Sequence, residues 1–262
     1  MVNSSTLFES AGLLLVYFVL GVVVSLLSRV MKVKYKGFEL SYPKQSALYA
    51  LGAVIISSCM ITGLMLSIST QNASESDLST TSYTLNKVIN IMITWLIMLS
   101  PVFIIKRIRK ETWRSCGISK HNLKQSLWIG TILAVLIIAI VLLFGLNNLA
   151  DVGQKLTISA FWALLYYAIA GFSEEFMYRG FLQVRLMGWI GKWQGWVLTS
   201  ILMALIHIPQ RIALGLSPLE ALISSVSLIP ISLITGYIMI KTENIVAPGI
   251  SHTFANWVNV LM

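Results

Sequence analysis

Glu174 and Glu175 lie side by side in a largely apolar stretch, residues 161–186, and Arg179 follows four places after Glu175. Two later apolar segments carry one histidine each, His207 and His252, and Asn256 stands four places after His252. Carboxylates and imidazoles are costly at membrane depth, so their presence there marks a functional site by default. A carboxylate can take a proton from water, and fixed imidazole and amide donors can hold the charge that develops on a carbonyl oxygen. The set therefore points to hydrolysis inside a bilayer.

The spacing adds geometry. If residues 158–186 and 196–208 form a helical hairpin that turns within residues 188–195, Glu174 and His207 stand equally far from the turn. At 1.5 Å per residue both lie ~25 Å from it, so they are expected to meet across an antiparallel pair. Glu175 and Arg179 share a helix face and form an ion pair, while Glu174 points about 100° away. Glu174 is thus the free carboxylate and Glu175 the held one. His252 and Asn256 share a face of the last helix, with Asn259 a turn further. His252 lies close to the turn at residues 241–244, which predicts a depth mismatch with His207 of up to ~10 Å. Glu174, His207 and His252 also make a plausible zinc set, although no HExxH run is present.

The elements that must position these groups are helices. Of 262 residues, 56% are hydrophobic and 11% charged, against roughly 25% charged in a soluble domain. The expected fold is all-α, a polytopic membrane protein of about eight transmembrane helices: residues 7–27, 47–68, 88–105, 127–146, 158–186, 196–208, 219–240 and 245–261. Continuous apolar runs exclude a β-barrel. The short sixth segment ends near Pro209, so His207 reads as a possible helix cap; Pro230 is expected to kink the seventh segment. We divide the chain into N-terminal helices, residues 1–157, and a catalytic core, residues 158–262, with the site between helices of the C-terminal half.

The net charge of +9 comes from topology. Sixteen of the nineteen Lys and Arg fall on one side of the predicted bundle, at residues 29–44, 106–124, 179–192 and 241, and three (Lys87, Lys155, Arg211) on the other. The positive-inside rule then puts both termini outside the cytoplasm. The Ser/Thr-rich stretch 69–86, with Glu75, Asp77 and the sequon Asn72-Ala73-Ser74, reads as an outer loop. Nucleic acid is not an expected partner; the lipid bilayer and a membrane-associated peptide or protein substrate are. His121, in a basic loop, reads as a surface histidine. Cys59 and Cys116 are expected at different depths and unpaired.

Glu174-Glu175-x-x-x-Arg179, a histidine late in the next helix, and His252-x-x-x-Asn256 resemble the three motifs of the CAAX-protease and bacteriocin-processing family, also called ABI or type II CAAX prenyl endopeptidases. Its pattern is EExxxR, FxxxH and HxxxN or HxxxD; Met203 stands here in place of the phenylalanine. The resemblance covers residues 160–262. It implies a metal-independent intramembrane glutamate endopeptidase in which Glu174, assisted by His207, activates water. His252 and Asn256 would stabilise the oxyanion, with Glu175 and Arg179 supporting. Cofactors would be none, zinc at Glu174, His207 and His252 being the minority case. Substrates would be membrane-associated or lipidated peptides, and the location a multi-pass integral membrane one, the cell membrane in a prokaryote. The alternative is a bacteriocin self-immunity protein that binds without cleaving.

Overall fold

In the computed structural model, residues 4–72, 82–145 and 150–261 are described, and they are helical with no strand among them. In chain order the helices are α1 (Ser4–Val30), α2 (Pro43–Asn72), α3 (Leu85–Met98), α4 (Ser100–Ile108), α5 (Leu123–Gly145) and α6 (Ala150–Lys155). Then follow α7 (Ile158–Glu175), a π-helical segment Phe176–Gln183, α8 (Val184–Ile190), α9 (Lys192–Ala213), α10 (Pro218–Val226), α11 (Ile229–Thr242) and α12 (Val246–Trp257). The protein is an integral membrane protein of several spans. Five stretches are long and apolar enough to cross a bilayer: Pro43–Ser67, Leu85–Ile108, Leu123–Leu143, Lys192–Ala213 and Pro218–Thr242.

Eight spans were expected. In α1 the apolar stretch among the described residues is Leu15–Val30. The helix α7 has 18 residues but ends on two glutamates, and α12 has only 12. Of the predicted outer loop, residues 73–81 lie outside the described residues, and with them Glu75, Asp77 and most of the sequon; Asn72 ends α2.

Local chemistry sets the boundaries. Thr84 caps α3 by accepting from the Lys87 N–H, Thr157 caps α7, and Ser217 with Glu220 closes a capping box at α10. Pro230 sits in the first turn of α11, so the seventh segment is broken between α10 and α11 instead of kinked. Pro209 has the opposite outcome: α9 carries through it to Ala213, so the sixth segment is not short and His207 does not cap a helix end.

Two apolar clusters hold the bundle. One gathers α2, α3, α4 and the π segment around Phe176, Phe181 and Leu182. The other joins α1, α5, α11 and α12 around Val24, Ile129 and Leu133. Close approach depends on small residues, as is common between membrane helices. At the α8–α9 turn, Gly191 has φ +101°, and a Cβ on Gly195 would lie 2.3 Å from the backbone nitrogen of Met187. Backbone cannot yield as a side chain can, so Gly195→Ala is expected to lower thermal stability by about 1–3 kcal/mol, read as a lower midpoint in a detergent melting assay. An unchanged midpoint would show that the hairpin tolerates a wider gap.

A buried polar clamp ties the basic loop to the bundle. Arg185 is fully buried on α8 and pairs with Glu111; its Nε–H donates to Oε2 at 3.1 Å. Its guanidinium also lies 3.8 Å over the Phe181 ring and donates to the Phe181 carbonyl at 2.7 Å. Lys106 donates to the Glu111 carbonyl at 2.8 Å, and Arg109 stands 3.9 Å from Oε1 of Glu111. Arg179 and Arg185 were counted as loop cations; both are interior, and the charge asymmetry remains strong without them. His121 likewise is not a plain surface residue. Its ring is 15% exposed, bonds the Lys34 carbonyl at 2.8 Å and stands 3.4 Å from Glu243.

Candidate active site

The helix α7 brings two adjacent carboxylates to the middle of the bundle, and there the helix changes. From Phe176 to Gln183 it widens to π geometry, and every residue of that stretch is buried. Such segments often mark functional sites. A Cβ at Gly180 would lie 2.4 Å from the Cys116 carbonyl oxygen, so the loop backbone packs directly on this stretch.

Glu175 is fully buried. Its Oε2 lies 3.3 Å from Nε of Arg179, the expected i,i+4 pair. Arg179 is held in turn by hydroxyls of α11: its Nε–H and NH2 donate to Thr235 Oγ1 at 3.0 and 2.6 Å, and NH2 to Ser232 Oγ at 3.1 Å. NH1 and NH2 also point at the Met203 sulfur, both at 3.2 Å. The residue at the variant motif position thus supplies a soft acceptor to the guanidinium.

The second partner of Glu175 was not expected. His252 Nδ1 lies 2.8 Å from Oε1 of Glu175. A carboxylate only accepts, so Nδ1–H donates, and this leaves Nε2 to face outward. Nε2 stands 3.8 Å from Oε2 of Glu174. The predicted Glu174–His207 partnership is therefore replaced, at the level of direct contact, by Glu174–His252. His207 donates from Nδ1 to the Met203 carbonyl at 2.7 Å. The close approach of α7 and α12 makes the His252–Glu175 bond possible: a Cβ at Gly249 would lie 2.6 Å from the Phe172 ring, and one at Gly171 3.3 Å from Thr253.

All six residues singled out in the sequence, Glu174, Glu175, Arg179, His207, His252 and Asn256, line one cavity of about 230 Å³. Thr235, Ser232 and Arg211 also line it, and sequence reasoning missed them. Asn259 does not belong; its amide bonds back to carbonyls of its own helix end. The Asn256 side-chain amide has no hydrogen-bond partner among the described residues. Glu174 is a quarter exposed, unlike Glu175.

Glu174 and Asn256 also line a second and larger cavity of about 620 Å³. Its walls are mainly apolar and aromatic, and it runs along α2, α3 and the second half of α7 to Tyr83 and Lys87. That end lies away from the basic loops. Tyr83 and Tyr167 share a hydroxyl hydrogen bond of 2.7 Å at its rim. Burial, with that bond, pushes the Tyr83 phenol above its ordinary pKa, so it remains neutral. Glu174 and Asn256 thus stand at the junction of a small polar chamber and a wide apolar vestibule. Among the described residues, no group of three or more His, Cys, Asp or Glu is arranged to hold a metal ion.

Fold and cavity together define a polytopic helical membrane protein with a titratable site enclosed within it. Residues 155–258 match the family model described as Type II CAAX prenyl endopeptidase Rce1-like, so that segment is similar to a family of proteases. No curated protein and no solved structure matches the chain.

Proposed function

We propose that the protein is a metal-independent glutamate endopeptidase that hydrolyses peptide bonds of membrane-associated or lipidated substrates within the bilayer. The observation that carries this is the position of Glu174 and Asn256 on the shared wall of the two cavities. A peptide lying in the vestibule would pass its scissile carbonyl between them.

In this reading Glu174 takes a proton from water, and the water oxygen bonds to the carbonyl carbon. His252, protonated on both nitrogens in this step, donates from Nε2–H to the oxyanion, as does the unpartnered amide of Asn256. The C–N bond then breaks and the proton returns to the leaving nitrogen, giving a carboxylate and an amine. His207, through its free Nε2, assists the proton transfers. Glu175 fixes the His252 ring by accepting from Nδ1, and Arg179 pairs with Glu175. If the basic loops are cytoplasmic, in this reading the vestibule mouth lies in the opposite half and substrate enters from there or laterally from the lipid.

Asn256→Ala is expected to lower turnover by about 10²–10³ with KM little changed, as for loss of one oxyanion donor. His207→Ala and His252→Ala should lose activity more completely. The assay is cleavage of a quenched fluorescent apolar peptide by protein in vesicles. A proportional rise in KM with kcat intact would move Asn256 from oxyanion stabilisation to ground-state binding. Addition of a chelator should leave the rate unchanged.

A further inference from the structure

Arg211 lies four residues after His207 and eight after Met203, so all three form one stripe along α9. All three line the polar chamber. The first two are engaged: Met203 with Arg179, and His207 with its own helix. Arg211 is half-buried, and its guanidinium has no carboxylate or hydrogen-bond partner among the described residues. The other arginines of the interior contrast with it. Arg179 and Arg185 are each paired with a glutamate and satisfied by further acceptors. A guanidinium presents a fixed fork of donors that matches a carboxylate, and this one lines the same chamber as Glu174 and Asn256.

We propose that Arg211 is a specificity-determining residue that binds a carboxylate of the substrate on the leaving-amine side of the scissile bond. The proposal rests on the peptidase reading above and extends it. The body of the peptide lies in the vestibule of about 620 Å³, and the shorter C-terminal part enters the chamber of about 230 Å³. The carboxylate has two chemical sources, the peptide C-terminus or an acidic side chain close to it. Anchoring that end fixes how far the peptide advances past Glu174, and hence which bond meets it.

The test uses purified protein in phospholipid vesicles and a quenched fluorescent library of apolar decapeptides in three forms. One has a free C-terminal carboxylate, one a C-terminal amide, and one an amide with aspartate among the last four residues. Wild type is expected to cleave the free acid with kcat/KM about 10- to 100-fold above the amide, as befits a hydrogen-bonded charge. In Arg211→Ala that ratio should fall to about one, while Arg211→Lys should keep part of it. Recovery of cleavage by the aspartate form would assign the side-chain source as well; no recovery would restrict recognition to the C-terminus. Equal cleavage of acid and amide by wild type, or an unchanged ratio in Arg211→Ala, overturns the proposal. Binding of the same peptides to Glu174→Gln, read by fluorescence anisotropy, separates the two claims. Preference for the acid without any cleavage by wild type would leave the anchor standing and remove the peptidase. Cleavage by wild type with no binding preference would do the reverse.

Discussion

Glu174→Gln is expected to abolish cleavage, by at least about 10³-fold, while the protein reaches the membrane at its normal level. The amide has nearly the same shape and still fills the wall between the two cavities, so packing is preserved. It cannot accept the proton of water, and this is the function assigned to Glu174. Its neighbour makes a useful contrast. Glu175→Gln keeps an oxygen that can accept from His252 but removes the negative charge facing His252 and Arg179, so it should damage folding as well as turnover. The measurement is a comparison of membrane and secreted peptidomes by mass spectrometry from cells carrying wild type or Glu174→Gln. Fragments that vanish in the variant would name the substrate. Full activity in Glu174→Gln would sink the mechanism, and an unchanged peptidome would favour an immunity protein that binds without cleaving.

The second large effect concerns stability. Arg179→Ala is expected to cost about 3–5 kcal/mol and to show as a steep fall in yield and in the detergent melting midpoint. The substitution leaves Glu175 charged, fully buried and facing a void. It also strands the hydroxyls of Ser232 and Thr235 that now accept from the guanidinium. The double variant Glu175→Gln with Arg179→Met should recover much of the yield, because no uncompensated charge remains. It should not recover activity, because His252 loses its ordering carboxylate. Normal yield in Arg179→Ala alone would show that water reaches Glu175 freely, contrary to its burial.

The sequence exposed the site because charge is rare in apolar segments. Glu174, Glu175, His207 and His252 stand out for that reason, and the i,i+4 spacing correctly joined Glu175 to Arg179. The Glu175–His252 bond was not legible, since it depends on how α12 rotates against α7, and that is set by ring-to-backbone contacts at Gly249 and Gly171. Ser232 and Thr235 were hidden because hydroxyls in apolar helices commonly bond their own carbonyls, as Thr235 also does with Ile231. The π segment leaves no mark in the pattern of residue types. It lies where a loop packs on Gly180, a contact between parts of the chain far apart in sequence. Helix existence was readable from composition, but helix continuity was not. Pro209 was absorbed within α9, while Pro101 and Pro230 coincide with breaks, and the difference lies in the neighbours.

The clamp at Glu111 bears on how such a chain is made. Lys106 and Arg109 contribute to the charge asymmetry that orients the helices as they insert, a count in which lysine and arginine are equivalent. Once inserted, the same residues become ties between a loop and the finished bundle, and there the two are not interchangeable. Arg185, buried beside them, forms a forked, stacked contact that a lysine cannot reproduce. Insertion thus reads the basic loop coarsely and early, and assembly reads it again, atom by atom and late. Substitutions among these cations are silent at the first reading and costly at the second, so a chain can thread the membrane in the right direction and still never close around its site.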